Sequence, residues 1–285
     1  MQTLAEIKQT LAERGLAPRK SLGQNFLIDH NLTNRLVDAS GVAQNDLVLE
    51  VGPGTGVLTD ALLARGARVV ASELDRGLSD LLRERFEQNE RFRLVEGDCL
   101  ESKRQLSPGL AAALGDEPFT LVANLPYGAG TPLMVTLLAD HAACRGQFVT
   151  VQREVADRLA ASPGTKAYGS ISILAALTCH AQRLATLPPA CFWPRPEVTS
   201  AMIALTPRDD AMPREDRRHL LDTCQTLFAS RRKQIGGVLR RLTPPTAPET
   251  RGEPSTELLP DGIDPTSRVE TLTPAEILAI AARLR

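Results

Sequence analysis

Between residues 47 and 160, short apolar runs rich in β-branched residues alternate with segments whose apolar residues recur at helical spacing. The alternation predicts βαβ units, and therefore a mostly parallel sheet with helices on its faces. Two further apolar runs are predicted to add an antiparallel edge to this sheet. In chain order the predicted strands are LVLEV (47–51), RVVAS (68–72), FRLVEGD (92–98), FTLVANL (119–125), QFVTVQ (147–152), SISILAALT (170–178) and VTSAMIAL (198–205).

The pattern becomes helical from Pro213 onward, which places the predicted domain boundary near residue 208. The first domain is expected to cover residues 1–207, and a small α-helical domain is expected to cover residues 208–285. Within the second domain, a Pro/Thr/Glu-rich connector (243–265) precedes a last helix that starts at the sequence TPAE.

Composition argues against several classes of protein. No apolar run approaches the roughly 18 residues of a membrane span, so we expect no membrane partner. The five cysteines are scattered and the four histidines form no cluster, so neither a disulfide framework nor a metal site is predicted. Dispersed, unpaired cysteines favour a cytoplasmic location.

Charge is distributed unevenly along the chain, although the net charge is only −1. Between residues 214 and 241 there are eight Lys or Arg against three Asp or Glu, and this segment contains the run Arg231-Arg232-Lys233. Clustered cations of this kind are typical of a nucleic-acid contact. Solvated helix faces explain the charge pattern equally well when it is taken alone.

A glycine-rich loop follows the first predicted strand and reads Glu50-Val51-Gly52-Pro53-Gly54-Thr55-Gly56. Glycines allow a tight turn and a close approach of the backbone to a ligand before the next helix begins. The third glycine comes one residue earlier than in the dinucleotide fingerprint G-x-G-x-x-G, which disfavours a nicotinamide cofactor. A purely structural turn is the alternative for this loop.

Acidic residues end the next two predicted strands. Glu73 lies 21 residues after Gly52, where an acid can accept hydrogen bonds from ribose hydroxyls, and Asp98 could accept one from an adenine amine. Each of them could be an ordinary surface carboxylate. Because ligands of parallel sheets bind at the carboxyl ends of the strands, the three motifs together predict an adenosine pocket without a pyrophosphate site. S-adenosylmethionine fits that description.

The fourth predicted strand ends in Asn124-Leu125-Pro126-Tyr127, beside the predicted pocket. An aromatic amine such as adenine N6 is a poor nucleophile because its lone pair is delocalised into the ring. Hydrogen bonds from this amine to the Asn124 side-chain oxygen and the Pro126 carbonyl would favour a tetrahedral, nucleophilic nitrogen. Pro126 has a fixed φ, and Tyr127 offers a face on which an extruded base can stack. A strand-end turn with a buried tyrosine is the alternative.

These motifs resemble those of the ribosomal RNA adenine N6,N6-dimethyltransferases, in particular the bacterial small-subunit branch, over residues 20–235. The resemblance includes three further segments: KSLGQNFLID (20–29), QREVA through PGTKAYG (152–169) and FWPRPEVTS (192–200). It implies an α/β, Rossmann-like class I methyltransferase fold with a mostly parallel sheet and an antiparallel edge, plus a small α-helical C-terminal domain. The chain departs from the family at Gly128-Ala129-Gly130, where a bulkier triplet is usual, and in the connector.

The resemblance also implies roles for individual residues. The residues implied to bind S-adenosylmethionine are Asn25, Leu27, Gly52, Glu73, Asp98 and Asn124. The residues implied to act in catalysis are Asn124, Leu125, Pro126, Tyr127 and Phe192, with Phe192 flanking the target base opposite Tyr127. The RNA-binding patch of the family is similar to Arg231, Arg232 and Lys233.

The implied substrate is a pair of adjacent adenosines in a 3′-terminal hairpin loop of small-subunit (16S) rRNA. Each adenosine would receive two methyl groups at N6 during subunit assembly, from a monomeric enzyme acting on the rRNA or on a pre-small-subunit particle. Three alternatives stay open. They are a resistance-type large-subunit rRNA methyltransferase, which the low net charge disfavours, a non-catalytic rRNA-binding assembly factor, and a methyltransferase acting on DNA adenine.

Overall fold

The computed structural model describes residues 2–242 and 258–285. Internal contacts divide the chain into two compact units. The first unit comprises Met1–Ala156 and His180–Pro207, and the second comprises Asp157–Cys179 and Arg208–Arg285. Within the described residues, no helix has the length and apolar character needed to cross a membrane.

Strands and helices alternate over most of the first unit. The strands in the described part of the chain are β1 (Phe26–Leu27), β2 (Leu47–Val51), β3 (Arg68–Glu73), β4 (Phe92–Glu96), β5 (Leu100–Ser102), β6 (Gln105–Leu106), β7 (Phe119–Asn124), β8 (Cys144–Gln152), β9 (Cys179–Leu187), β10 (Phe192–Trp193) and β11 (Ser200–Pro207). The α-helices there are α1 (Leu4–Glu13), α2 (His30–Ser40), α3 (Val57–Ala64), α4 (Arg76–Phe86), α5 (Pro108–Leu114), α6 (Gly130–Asp140), α7 (Arg153–Leu159), α8 (Ser170–Thr178), α9 (Arg214–Phe228), α10 (Ile235–Leu242) and α11 (Pro274–Arg283).

One mixed sheet forms the centre of the first unit, with the spatial order β4-β3-β2-β7-β8-β11-β9. Within this sheet, β4, β3, β2, β7 and β8 pair in parallel, each with the next, whereas β11 pairs antiparallel with β8. All five residues of β2 are buried, as expected for a parallel strand that is covered on both faces. The predicted α/β fold, with a mostly parallel sheet and an antiparallel edge, is confirmed.

The segment SISILAALT was expected to be a strand, and this expectation is wrong. It forms helix α8, and the strand at that edge of the sheet is the next segment, β9. The helix begins where the Gly169 N–H donates to the Ser172 hydroxyl oxygen, over 3.1 Å. Five consecutive residues, Ile171 to Ala175, are buried, so the segment carries no amphipathic period by which a helix could be told from a strand.

Helix α8 belongs to the second unit, whose core also contains side chains of α9, α10 and α11. Ile173 is fully buried in this core, and the Tyr168 hydroxyl donates to the Leu272 carbonyl over 2.8 Å. Asp157–Cys179 is thus grouped by its contacts with the second unit, whereas the sequence predicts a single boundary near residue 208. Residues 243–257 of the predicted connector lie outside the described residues, whereas Leu259 and Ile263 pack in the core of the second unit.

Candidate active site

The carboxyl ends of β2, β3 and β7, together with the loop after β4, border a cavity of about 690 Å³ in the first unit. Its volume lies in the range of sites for small molecules and cofactors. The structure brings most of the predicted site residues to this cavity. Those that line it are Asn25, Gly52, Glu73, Asp98, Asn124, Leu125, Pro126 and Tyr127.

The glycine loop lies close to two other segments of the site. Gly52 has φ +72°, and a Cβ atom there would lie 3.2 Å from Cδ of Pro126. Gly54 has φ +61°, and a Cβ atom there would lie only 2.7 Å from Cε1 of Phe26. A side chain at Gly54 is therefore disfavoured both by backbone conformation and by contact with the Phe26 ring.

Glu73 connects the glycine loop to the end of β3. It is 5% exposed, and its two carboxylate oxygens accept the N–H of Gly54 over 3.1 Å and the N–H of Asp75 over 2.9 Å. Burial raises the pKa of this carboxyl, while the backbone N–H donors oppose the rise. Each oxygen keeps a second lone pair for a hydroxyl donor, which is what the predicted ribose role requires.

Glu50 is a second buried acid, one strand away from Glu73 in the sheet. Its carboxyl is 1% exposed and accepts the Thr59 hydroxyl over 2.7 Å. Burial raises the pKa of Glu50 to about 8, and the negative charge of Glu73 adds to this rise. Glu50 was singled out in the sequence only as part of the glycine loop, and nothing in the pattern pointed to Thr59.

Asp98 follows β4 and is exposed at the cavity wall. Its Oδ1 atom accepts the N–H of Leu100 over 2.9 Å, which begins the short hairpin of β5 and β6. This hairpin, which the sequence did not predict, contributes Cys99 to Lys103 to the lining of the cavity.

Asn124 is held in one orientation by the segment before β1. Its Nδ2 group donates to the Asn25 carbonyl over 2.9 Å, and Asn25 in turn donates from Nδ2 to the Gly23 carbonyl over 3.1 Å. Since the amide nitrogen is engaged, the Asn124 Oδ1 atom is the group left to accept a hydrogen bond. It has no partner among residues 2–242 and 258–285. Asn25 thus reaches the site as predicted, although through its backbone.

The Pro126 carbonyl has a different environment from the predicted one. It accepts the N–H groups of Ala129 over 3.2 Å and Gly130 over 3.1 Å. Helix α6 begins at Gly130, so the first turn of the helix folds back onto Pro126. A substrate amine would therefore compete with two backbone donors. Leu125 enters these loop hydrogen bonds only as a donor, to the Thr150 carbonyl over 3.1 Å.

Tyr127 lies half-buried in the cavity wall. Its hydroxyl oxygen is 2.7 Å from Oγ of Ser200, and its burial raises the pKa of the phenol. A Cβ atom at Gly23 would lie 3.3 Å from the Tyr127 nitrogen, so the segment before β1 packs on this residue as well. The predicted stacking position is compatible with this placement.

Phe192 and Leu27 do not line the cavity. They are register partners in the antiparallel pair of β10 and β1, and they are 1% and 8% exposed in the hydrophobic core. The predicted position of Phe192 opposite Tyr127 therefore differs from the observed one, because this long-range strand pairing turns its ring into the core. The neighbouring Trp193 instead stacks on Phe26, with ring centroids 6.2 Å apart.

The predicted cationic run lies in the second unit, and its three residues are not equivalent. Arg231 forms an ion pair with Glu270 over 2.8 Å and donates to the carbonyls of Thr165 and Lys166, each over 3.2 Å. It therefore holds together segments that are distant in sequence. Arg232 and Lys233 are exposed and form no ion pair with any described residue. Only these two are available for a charged partner.

The comparison with known proteins decides the family. The family model of the ribosomal RNA adenine dimethylases matches residues 15–285, almost the whole chain. This chain belongs to the ribosomal RNA adenine dimethylase family. The resemblance drawn from the motifs is thereby confirmed.

Relatives within the family extend over nearly the same length. The ribosomal RNA small subunit methyltransferase A of Magnetococcus marinus is 40% identical over 282 residues, which cover 99% of this chain and 97% of the relative. The protein of the same name from Geobacillus thermodenitrificans is 38% identical over 285 residues, covering 99% of this chain and 96% of the relative.

Solved structures agree on the fold of this adenine dimethylase. A dimethyladenosine transferase from Plasmodium falciparum superposes with a TM-score of 0.68 at 20% identity, covering 88% of this chain and 94% of that one. The 23S rRNA methyltransferase ErmE superposes with a TM-score of 0.63 at 24% identity, covering 91% of this chain and 99% of that one. At these identities the likeness establishes the fold and not the substrate.

Two features of this dimethylase were not assigned a role from the sequence. Ser200, the last residue of the FWPRPEVTS motif, contacts the hydroxyl of Tyr127. Asn124 is oriented by a residue 99 positions earlier in the chain. No short sequence motif indicates either contact, because each joins residues that are far apart in the chain. No group of three or more His, Cys, Asp or Glu within 2–242 and 258–285 could hold a metal ion.

Proposed function

We propose that the protein transfers methyl groups from S-adenosylmethionine to N6 of two adjacent adenosines in a 3′-terminal hairpin loop of 16S rRNA. The product would be N6,N6-dimethyladenosine, formed by a monomeric cytoplasmic enzyme during assembly of the small subunit. Membership of the adenine dimethylase family supports the reaction, and the names of the relatives support the small subunit as substrate. The observation that carries the proposal is the oriented carboxamide of Asn124 at the cavity.

The cavity fits an adenosyl ligand that carries positive charge. Glu73 supplies a carboxylate acceptor for ribose hydroxyls, and Asp98 supplies one for an adenine amine. Gly52 has no side chain, so the methionine part of the ligand can approach its backbone closely. Asn25 also lines the cavity, and its carbonyl accepts the Nδ2 group of Asn124. When bound, S-adenosylmethionine supplies an electrophilic methyl group on a sulfonium. The protein's contribution is then to bind, orient and exclude water.

Asn124 would increase the nucleophilicity of the adenine amine. Its Nδ2 group is fixed on the Asn25 carbonyl, so Oδ1 is directed as an acceptor without reorganisation during the reaction. A second acceptor is needed for the other N–H of the amine. The Leu125 carbonyl suits this role better than the Pro126 carbonyl, which already accepts two backbone N–H groups. Alignment of the amine with the methyl group would supply most of the remaining rate.

Tyr127 would hold the extruded adenine by stacking, a contact worth about 1–3 kcal/mol per base. RNA outside the target loop would contact exposed cations such as Arg232 and Lys233 of the second unit through its phosphates. Phosphate contacts position RNA without reading its sequence, so specificity would come from the shape of the loop and its splayed bases.

The alternatives differ in what they need from the site. A non-catalytic assembly factor has no physical need for an oriented acceptor at Asn124 in the same cavity as a buried Glu73. The large-subunit enzyme ErmE shares the fold at 24% identity, whereas the relatives at 38–40% identity carry the small-subunit name. We therefore favour 16S rRNA as the substrate.

The decisive experiment is Asn124→Ala, assayed with labelled S-adenosylmethionine and under-methylated small subunits. Turnover should fall by about 100-fold or more, the usual loss for a preorganised group at the reacting centre. Binding of cofactor and RNA should persist. Asn31→Ala, an exposed change on α2, is the matched control and should retain full activity. Mass spectrometry of nucleosides would identify the modified adenosines, and unchanged turnover in the Asn124 variant would refute the assigned role.

A further inference from the structure

Ser200 is a buried polar residue for which the proposed function gives no role. It is the first residue of β11 and is fully buried, at 0% exposure. Its backbone is register partner to Gln152 of β8, and the preceding Thr199 carbonyl accepts the Arg153 N–H over 3.0 Å. The antiparallel ladder therefore fixes the backbone from which its hydroxyl projects.

The hydroxyl of Ser200 meets the far end of the Tyr127 ring, with an Oγ to phenol oxygen distance of 2.7 Å. The two residues are 73 positions apart, so strand order rather than local sequence brings them together. β8 lies between β11 and β7, the strand that ends in Asn124. One sheet edge thus places both the acceptor carboxamide and the anchor of the ring.

The bond to Ser200 is the one side-chain hydrogen bond of Tyr127 among the described residues. Gly128, the next residue, is exposed, and a Cβ atom there would have no neighbour within 4 Å. The turn around Pro126 fixes the backbone but not the direction of the ring, because the first side-chain torsion has three staggered minima. A hydrogen bond at the phenol oxygen removes that freedom at the end farthest from the backbone.

We infer that Ser200 is a positioning residue that fixes the direction of the Tyr127 ring axis, so that an extruded purine stacks with its amine at Asn124. This inference rests on the proposed function. A ring that samples other orientations still offers apolar area, so binding should weaken little. Alignment of the amine should suffer more, because a small misplacement at the reacting centre has a large effect on rate.

Ring dynamics test the contact itself. The chain contains two tyrosines, and Tyr168 bonds to the Leu272 carbonyl in the second unit, so it serves as an internal reference. With ring-labelled tyrosine, Ser200→Ala should shift the NMR signals of Tyr127 and increase the amplitude of its side-chain motion, while the signals of Tyr168 stay unchanged. Tyr127→Phe assigns the signals. Unaltered Tyr127 signals in Ser200→Ala would overturn the inference.

A double-mutant cycle tests the catalytic consequence. Ser200→Ala and Tyr127→Phe should each lower kcat about 3- to 10-fold, as expected for one hydrogen bond, with the Kd for S-adenosylmethionine unchanged. The double variant should be no worse than either single variant, because both remove the same contact. Losses that multiply would show that the residues act independently and would end the proposal.

Controls separate positioning from folding and from the proposed function. Ser172→Ala removes an equally buried hydroxyl, 1% exposed in the second unit, and should lower Tm without altering Tyr127 signals. If Ser200→Ala fails to fold, Tyr127→Phe still decides, since full kcat in that variant contradicts the inference. If the NMR result is as expected but even the wild-type protein methylates nothing, the proposed function fails and the contact stands.

Discussion

Glu50 offers a direct test of the electrostatics at the carboxyl edge of the sheet. Its carboxyl is 1% exposed beside Thr59, and burial raises its pKa from 4.5 to about 8. A folded state that binds a proton more tightly than the unfolded state loses stability as pH rises between the two pKa values. The window is therefore pH 4.5 to about 8, with the full contribution present at the acidic end.

The magnitude follows from the size of the shift. Each pKa unit corresponds to 1.36 kcal/mol, so the wild-type protein should lose about 3 kcal/mol between pH 5.5 and pH 8 through Glu50 alone. Glu50→Gln keeps an acceptor for the Thr59 hydroxyl but cannot ionise. Its free energy of unfolding should exceed that of the wild type by about 1.4 kcal/mol at pH 5.5 and by about 4.4 kcal/mol at pH 8, so the difference grows by about 3 kcal/mol across this range.

Urea unfolding of both proteins without cofactor, at several pH values across this window, measures the difference directly. Glu117→Gln is the matched control. Glu117 is exposed and paired with Arg68, which lowers its pKa, so it does not titrate between pH 5.5 and pH 8. A constant difference between Glu50→Gln and the wild type across the window would contradict a protonated Glu50.

Two further predictions concern the glycine loop and the cationic run. Gly54→Ala should lower the free energy of unfolding by at least the 1–2 kcal/mol of a left-handed residue and should weaken binding of S-adenosylmethionine, measured by urea unfolding and calorimetry. Gly128→Ala, whose Cβ atom would meet no protein neighbour, should leave the free energy of unfolding unchanged. Arg231→Ala should lower Tm, whereas Arg232→Ala with Lys233→Ala should leave Tm unchanged and flatten the salt dependence of RNA binding by about 0.7–0.9 per lost phosphate contact. Equal effects of the two changes on Tm would contradict the distinction.

The sheet and the gathering of the site could be predicted from the sequence because they follow from short-range rules. Alternating apolar runs place Gly52, Glu73, Asp98 and Asn124 at the ends of parallel strands, and such ends share one edge. The error at SISILAALT has an equally local cause, since Ile171 to Ala175 are all buried and show no period.

The contacts that orient the site could not be predicted in the same way. Phe192 lies in the core because β10 pairs with β1, and Arg231 holds a loop because it meets Glu270, 39 residues later in the chain. The sequence pattern does not distinguish an Arg that faces solvent from an Arg that donates to a carbonyl. Their roles are decided by tertiary contacts.

The polar residues of the site differ in whether a substitution can affect activity without also affecting the stability of the fold. Glu73 accepts the N–H groups of Gly54 and Asp75, so its removal would release two buried backbone donors together with any ribose contact. A loss of activity in a Glu73 variant therefore has two explanations. Asn124 donates to the Asn25 carbonyl and leaves Oδ1 without a partner among the described residues, so truncation removes little that the fold needs. Chemistry and stability can thus be distinguished most clearly at Asn124.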